Sequence, residues 1–132
     1  MTDIAETFRT SMAAYSRGDY DAAVQGFSPD IVWVVDPTIQ LDHDTYHGHD
    51  GVKQFWGMWA EVMEGLSLEV EECRALDERR VLTITRSHAK GASSGAEVSA
   101  RFAQLAEFED GLAVRVELFA DTRRAREAAE GS

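Results

Sequence analysis

The chain has 132 residues, 44% of them apolar, which suits one domain with a single core and is too short for two. Its 13 basic and 24 acidic side chains give a formal net charge of −11, so the surface should repel phosphate backbones and anionic lipid headgroups. One cysteine, Cys73, excludes an internal disulfide framework and a cysteine-based zinc site. We expect a single domain over residues 1–132 that binds neither nucleic acid nor membranes.

The N-terminal segment lacks the basic stretch and apolar core of a secretion signal, since Met1 to Arg9 contains Asp3 and Glu6. Apolar runs in the sequence are all much shorter than the roughly 20 residues of a membrane-spanning helix. These features predict a cytoplasmic protein.

The first half of the chain shows the 3.6-residue apolar spacing of amphipathic helices, interrupted by one β-branched run that contains Trp33. The predicted elements are a helix Thr2–Arg17, a helix capped by Asp19 and reaching Phe27, a strand Ile31–Val35, an irregular segment Thr38–His49 and a helix from Asp50 to Gly65.

After Gly65 the apolar spacing changes to two residues, which is typical of strands. The predicted elements are strands Leu66–Glu71, Arg79–Lys90, Glu97–Glu109 and Leu112–Ala120, followed by a helix Thr122–Glu130. Asp110-Gly111 is the strongest hairpin signal in the chain. Helices followed by a meander of strands predict an α+β domain in which the N-terminal helices cover the concave face of a curved antiparallel sheet.

A two-residue turn at Asp110-Gly111 pairs Glu109 with Leu112 and so assigns the faces of the last two strands. The predicted concave face is small and apolar and holds Ala103, Leu105, Val114, Val116, Leu118 and Ala120. The predicted convex face mixes three phenylalanines with charge and holds Phe102, Gln104, Ala106, Phe108, Arg115, Glu117 and Phe119. Such a mixture is typical of a subunit interface, so we expect a homodimer through the convex face.

The order of elements carries a family resemblance. The Trp33 strand, the run Tyr46-His47-Gly48-His49-Asp50-Gly51-Val52, the Asp110-Gly111 turn and a last strand ending in Phe119-Ala120-Asp121 resemble the nuclear transport factor 2-like superfamily, and within it SnoaL-like domains. The resemblance implies a cone-shaped α+β barrel whose open end holds a deep apolar pocket. It also implies relatives such as ketosteroid isomerases, polyketide cyclases, epoxide hydrolases and dehydratases, alongside domains that only bind or dimerise.

The resemblance marks two aspartates as candidate proton-transfer groups. Asp36, before Pro37 at the end of the first strand, matches the general base of ketosteroid isomerases, and Asp121 matches the acid or base of SnoaL-like cyclases. Beside an apolar pocket, the pKa of such a carboxyl would rise and make it a stronger base. Each residue also has an ordinary structural role, because an Asp before a proline starts turns and an Asp before a helix caps it.

The partner groups of those aspartates match less well. The isomerase donor Asp falls on Ala103, and the donor Tyr falls near Ser11, one helical turn before Tyr15. The cyclase histidine is missing from Val98 to Ala120, so His47 or His88 would have to replace it. Tyr15 or His47 is therefore the candidate donor, although a tyrosine on the inner face of a helix is also an ordinary core residue.

Candidate pocket residues come from the aromatic side chains and the inferred concave face. Trp33, Trp56 and Trp59 are core candidates that could also wall a site for a flat polycyclic or aromatic ligand, with Ala103, Val116 and Leu118 beside them. The three histidines and three aspartates in Asp42–Asp50 lack the spacing of a helix-borne metal site, so we expect no metal. Cys73 has no activating base beside it and is not a candidate nucleophile.

Two functions fit the sequence. One is an enzyme that needs no cofactor, an isomerase, cyclase or dehydratase (a lyase) using carboxylate acid–base chemistry on an apolar or polycyclic substrate. The other is a binding module that uses the same pocket without chemistry, with a dimerisation scaffold as a weaker variant.

Overall fold

The computed structural model describes residues 3–39 and 44–130. Its elements, in order, are α1 (Ile4–Ser16), α2 (Tyr20–Ala23), β1 (Phe27–Val35), β2 (Thr45–His47), α3 (Gly48–Val62), β3 (Met63–Ala75), β4 (Arg80–Gly91), β5 (Glu97–Glu109), β6 (Leu112–Phe119) and α4 (Thr122–Glu130), with short 3₁₀ turns at Val24–Gly26 and Pro37–Ile39. The fold is α+β, as the change in apolar spacing predicts.

All six strands form one curved sheet in the order β2-β1-β6-β5-β4-β3, which is open between its two edge strands. Neighbours are antiparallel except for β1 and β6, which run parallel. α1 packs on β3 and α3 packs on β1, so the N-terminal helices cover the concave face as expected. The main core lies between these helices and the sheet.

The segment before Trp33 differs from the sequence prediction. Phe27 begins β1 instead of ending a helix, and it pairs with Ala113 of β6. The register then shifts before Val32, so Pro29, which has no N–H to donate, lies in a stretch outside the regular ladder. β2 is also absent from the prediction, because three residues are too few to show an alternating pattern.

The turn at Asp110-Gly111 forms as predicted, with φ of 52° and 82° at its two residues. Beyond it the register shifts: Phe108 pairs with Ala113, but Glu107 pairs with Arg115, so Val114 is an extra residue in β6. This β-bulge moves every later pair by one position.

The bulge overturns the face assignment of β5. Gln104 pairs with Leu118 and Ala106 with Val116, so they share the concave face, together with Phe102 and Phe108 on the same strand. Ala103 and Leu105 instead lie on the convex face, whereas the predicted faces of Val116, Leu118 and Ala120 are correct.

A second, smaller core cluster lies on the convex face beneath α4. It contains Leu82, Ile84, Ala103, Phe119 and Ala125. Of the three phenylalanines expected there, Phe102 and Phe108 thus belong to the concave side, and Phe119 is covered by α4. The apolar surface that suggested a convex dimer interface is therefore buried within the chain.

Candidate functional site

A cavity of about 370 Å³ lies between the concave face of the sheet and helices α1 and α3. Its lining is almost wholly apolar. The described residues that line it are Phe8, Ser11, Met12, Tyr15, Phe27, Trp33, Ile39, Phe55, Trp56, Trp59, Met63, Leu66, Leu68, Ser87, Ala89, Val98, Ala100, Arg101, Phe102, Gln104, Leu118 and Ala120.

Aromatic rings form one wall of this cavity. The ring centroid of Trp56 lies 5.0 Å from that of Tyr15, 5.7 Å from that of Trp33 and 6.1 Å from that of Phe27. Trp33 also contacts Phe55, with ring centroids 6.0 Å apart. Each of these rings therefore packs against at least one other ring of the same wall.

Arg101, the charged residue of the lining, pairs with Glu71 at 2.6 Å, and the serine and glutamine side chains of the lining fall into two groups. The hydroxyls of Ser11 and Ser87 donate to backbone carbonyls, those of Ala23 and Ala100. The side-chain oxygen of Gln104, a residue only 6% exposed, accepts a hydrogen bond from Thr83 at 3.2 Å. Its amide nitrogen makes no hydrogen bond with a described residue and is a free donor on the cavity wall.

Tyr15 is the one predicted catalytic residue that lines the cavity. Its ring stacks on Tyr20 with 5.6 Å between centroids, and its hydroxyl makes no hydrogen bond with any residue in the described ranges. Burial, with a smaller effect of Tyr20, raises the pKa of Tyr15 well above its usual value. The phenol stays protonated at neutral pH, so it can donate a hydrogen bond but cannot serve as a base.

The structure places Asp36 at the junction of β1, β6 and α4, outside the cavity lining. One carboxylate oxygen accepts from the backbone N–H and the hydroxyl of Thr38, both at 3.0 Å. The other accepts from Ala120 N–H at 3.2 Å and from the Arg124 guanidinium at 3.5 Å. The bond from Thr38 N–H is the main reason that the pKa of Asp36 is lowered, although burial opposes it. A base beside an apolar pocket was expected to have a raised pKa, so the lowered pKa of Asp36 is the opposite of that expectation.

Asp121 and the two histidines also lie outside the lining. Asp121 is exposed and accepts from Arg123 N–H at 2.9 Å, as a cap at the start of α4 does. His47 is exposed at the end of β2, and exposed His88 lies 3.4 Å from Glu69. The structure therefore does not bring Asp36, Asp121 and His47 together with Tyr15 at the cavity.

Most of the predicted pocket residues line the cavity. Trp33, Trp56, Trp59 and Leu118 do so, whereas Val116 is buried in the core on the same face. Ala103 packs under α4 on the other face, which corrects its assignment to the pocket.

Gln104 is the polar residue that the sequence reasoning placed on the wrong face. A strict two-residue hairpin puts it on the convex side, and only the bulge at Val114 turns it inward. One feature of the sequence indicates the bulge. Three phenylalanines make the predicted convex face unusually apolar for an outer surface, and a register shift in the hairpin would turn some of them inward.

A model of the SnoaL-like domain matches residues 8–116, which is most of the chain. The chain belongs to the SnoaL-like domain family. Solved structures agree with this family and its nuclear transport factor 2-like superfamily, whose cone-shaped fold the chain shares. None of the functionally curated proteins matches the chain significantly.

Three solved structures illustrate the likeness. TerC, co-crystallised with polyporic acid, is 25% identical over 96% of this chain and 98% of its own, with a TM-score of 0.80. A protein of the superfamily from Burkholderia thailandensis E264 is 21% identical over 97% and 98%, with a TM-score of 0.81. A protein of ketosteroid isomerase-like fold from Catenulispora acidiphila DSM 44928, in complex with trimethylamine, is 12% identical over 90% and 86%, with a TM-score of 0.75.

Two further observations concern metals and membranes. In residues 3–39 and 44–130, no group of three His, Cys, Asp or Glu side chains is placed to hold a metal ion. Asp42 and His43 of the histidine-rich segment lie outside those residues. No helix within the described part of the chain is long and apolar enough to cross a bilayer.

Proposed function

We propose that this SnoaL-like domain binds a flat, largely apolar small molecule, an aromatic or polycyclic ring system, in the cavity between its helices and sheet. The observation that carries the proposal is the 370 Å³ cavity walled by Tyr15, Trp33 and Trp56. A cavity of this size and character holds a ring system of a few fused rings, which gains both burial and ring contacts. TerC supports the proposal, because that relative was co-crystallised with polyporic acid.

Binding without chemistry is the first candidate, because the groups expected to transfer protons have other roles. Asp36 is held by four hydrogen bonds that favour its ionised form. Asp121 caps α4 and His47 is exposed at the end of β2. We infer that Asp36 and Asp121 act as structural residues.

The experiment is a calorimetric titration with fluorene, a rigid tricyclic hydrocarbon, against the wild type and two variants. Ala100→Trp introduces a large side chain at the exposed part of the sheet wall of the cavity. Ser99→Trp is the matched control, because the neighbouring residue of β5 points to the opposite face. We expect Ala100→Trp to weaken binding by about tenfold or more, equal to about 1.4 kcal/mol, and Ser99→Trp to leave it unchanged. Equal affinities for both variants would place the ligand elsewhere.

Acid–base catalysis is the second candidate, favoured by the free hydroxyl of Tyr15. A phenol that stays protonated can stabilise the negative charge that develops on a carbonyl oxygen when water or hydroxide from the solvent removes a proton from the adjacent carbon. On this second candidate, the wild type would accelerate deuterium exchange at the α-carbons of 2-tetralone in D₂O, followed by NMR, and Tyr15→Phe would lose that acceleration. A wild-type exchange rate equal to that of buffer would exclude this activity.

A homodimer through the convex face and a cytoplasmic location remain predictions. The open part of that face, beyond α4, carries the ion pair of Arg101 with Glu71 at 2.6 Å, and Arg126 of α4 pairs with Glu72 at 2.7 Å. A dimer formed there would be polar and would weaken as salt is added. Light scattering at low and high salt tests the dimer, and cell fractionation tests the location.

A further inference from the structure

His49, in the first turn of α3, makes a hydrogen bond to β1. Its Nε2 atom lies 2.9 Å from the carbonyl oxygen of Phe27, 22 residues earlier in the chain, and the contact is partly buried. A carbonyl oxygen only accepts hydrogen bonds, so Nε2 carries the proton. The contact therefore makes His49 a donor through Nε2, whether the imidazole is neutral or charged.

Phe27 is held at both sides of its backbone. Its N–H donates to the carbonyl of Val24 in the 3₁₀ turn before β1, and its carbonyl accepts from His49. Phe27 pairs with Ala113 of β6, but the register shifts before the next pair, which begins at Val32. Because the ladder with β6 is interrupted after Phe27, the imidazole restrains the backbone at a point where strand pairing does not.

The residue before His49 brings the start of α3 close to the same part of β1. Gly48 has a φ of 74°, and a Cβ at this position would lie 3.2 Å from the carbonyl oxygen of Pro29. A glycine permits both the positive φ and this close approach of the two backbones. Gly48 and His49 are therefore two separate contacts that join the beginning of α3 to the irregular part of β1.

The ring of Phe27 belongs to the wall of the cavity. Its centroid lies 6.5 Å from that of Phe8, 6.0 Å from that of Trp33 and 6.1 Å from that of Trp56. Trp56 lies on α3 about two turns after His49. The hydrogen bond of His49 and the ring contact of Trp56 thus join the same helix to the same residue of β1.

We propose that His49 is a positioning residue of the ligand cavity: its Nε2–H holds the carbonyl of Phe27 and so sets the spacing between the rings on α3 and those on β1. The inference rests on the proposed ligand-binding function and extends it, because it assigns the shape of the cavity to a residue that does not line it. Rings that are positioned before binding lose less conformational freedom when a ligand packs against them. His49 thereby contributes to affinity without contacting the ligand.

The first measurement is the tautomer of His49 in the wild-type protein. A long-range proton–nitrogen correlation spectrum at about pH 8, where an ordinary imidazole is neutral, distinguishes a proton on Nε2 from a proton on Nδ1. We expect the proton on Nε2, and His49→Gln identifies the signals of His49 by their loss. A proton on Nδ1 would leave Nε2 as an acceptor facing the carbonyl oxygen, another acceptor, and would overturn the proposal.

Three variants supply the second measurement. His49→Leu removes the donor, His49→Gln keeps a donor nitrogen at a similar distance from the backbone, and His47→Leu is the matched control, because His47 is exposed and its side chain does not cap α3. We expect His49→Leu to move the indole N–H signals of Trp33 and Trp56 and to weaken fluorene binding by about threefold to tenfold. His49→Gln should recover most of that affinity, and His47→Leu should leave it unchanged.

The possible results separate this inference from the proposed function. If His49→Leu binds fluorene as the wild type does, or if His49→Gln binds it no better than His49→Leu, the positioning role is overturned while ligand binding stands. If the wild type does not bind fluorene, the proposed function falls and the effect of His49 on affinity falls with it. The tautomer and the indole signals would then still decide whether His49 holds Phe27 in place.

Discussion

Two polar regions of this molecule differ in how completely their hydrogen bonds are satisfied. At the junction of β1, β6 and α4, Asp36 uses both carboxylate oxygens and accepts four hydrogen bonds. On the cavity wall, Gln104 and Tyr15 each keep a donor that has no partner among the described residues. Asp36, an acidic residue that the family resemblance marks as a candidate base, is thus fully used by the fold, whereas the side chains with donors left over for a ligand are uncharged.

The largest expected effect is that of Asp36→Asn on stability. The amide nitrogen of the new side chain would face the N–H of Ala120 and the guanidinium of Arg124. All three groups are hydrogen-bond donors, so the two bonds that Asp36 now accepts there would be lost. We expect a loss of about 2 to 3 kcal/mol in the free energy of unfolding, measured by urea denaturation. The affinity of the folded variant for fluorene should stay within about twofold of that of the wild type, because Asp36 does not line the cavity. A variant of normal stability that has lost ligand binding would show that Asp36 takes part in binding and does not stabilise the fold.

The acid sensitivity of the fold should follow from the same carboxylate. The pKa of Asp36 is lowered in the folded state, chiefly by Thr38 N–H, whereas an unfolded Asp titrates near 3.9. Its contribution to stability is therefore present above about pH 4 and is lost as the pH falls toward the folded-state pKa. Urea midpoints at pH 6 and pH 3 should show a smaller acid loss for Asp36→Asn than for the wild type. Identical losses would assign the acid sensitivity to other carboxylates.

A smaller effect is expected for Asp121→Ala, which removes the cap of α4 but touches no buried group. Loss of an N-cap typically costs about 1 kcal/mol, and the loss should appear in the urea midpoint with no change in ligand affinity. Asp121→Asn is the control, since its amide oxygen can accept from Arg123 N–H in the same way. If both variants left stability unchanged but removed an activity, the capping interpretation would be wrong.

The sequence predicts the fold well because most of its signals are local. Apolar spacing, the Asp110-Gly111 turn and the cap at Asp19 act within a few residues, and the Asp19 carboxylate accepts from the N–H of Ala22, three residues on, at 3.1 Å. β5 and α4 have the predicted bounds for the same reason.

The site is less predictable because its composition depends on register. One extra residue, Val114, exchanges Ala103 for Gln104 on the concave face, and no local propensity marks that bulge. The role of Asp36 depends on contacts with Ala120 and Arg124, more than 80 residues away. The bond from Thr38 N–H is local and agrees with the turn interpretation, whereas the bonds from Ala120 and Arg124 could not be predicted from nearby residues.

Tyr15→Phe should have the smallest effect on stability. It tests whether the hydroxyl of Tyr15 on the cavity wall has no hydrogen-bond partner within the protein. The hydroxyl of Tyr15 has no hydrogen-bond partner among the described residues, so its removal leaves no donor or acceptor of the protein unpaired. The ring itself, which stacks on Tyr20 and contacts Trp56, is retained. We expect the urea midpoint to change by less than the equivalent of about 0.5 kcal/mol. Tyr20→Phe is the matched control on the neighbouring ring. A clear loss of stability specific to Tyr15→Phe would show that the hydroxyl is already satisfied within the fold, and a hydroxyl satisfied in this way is not free to contact a ligand.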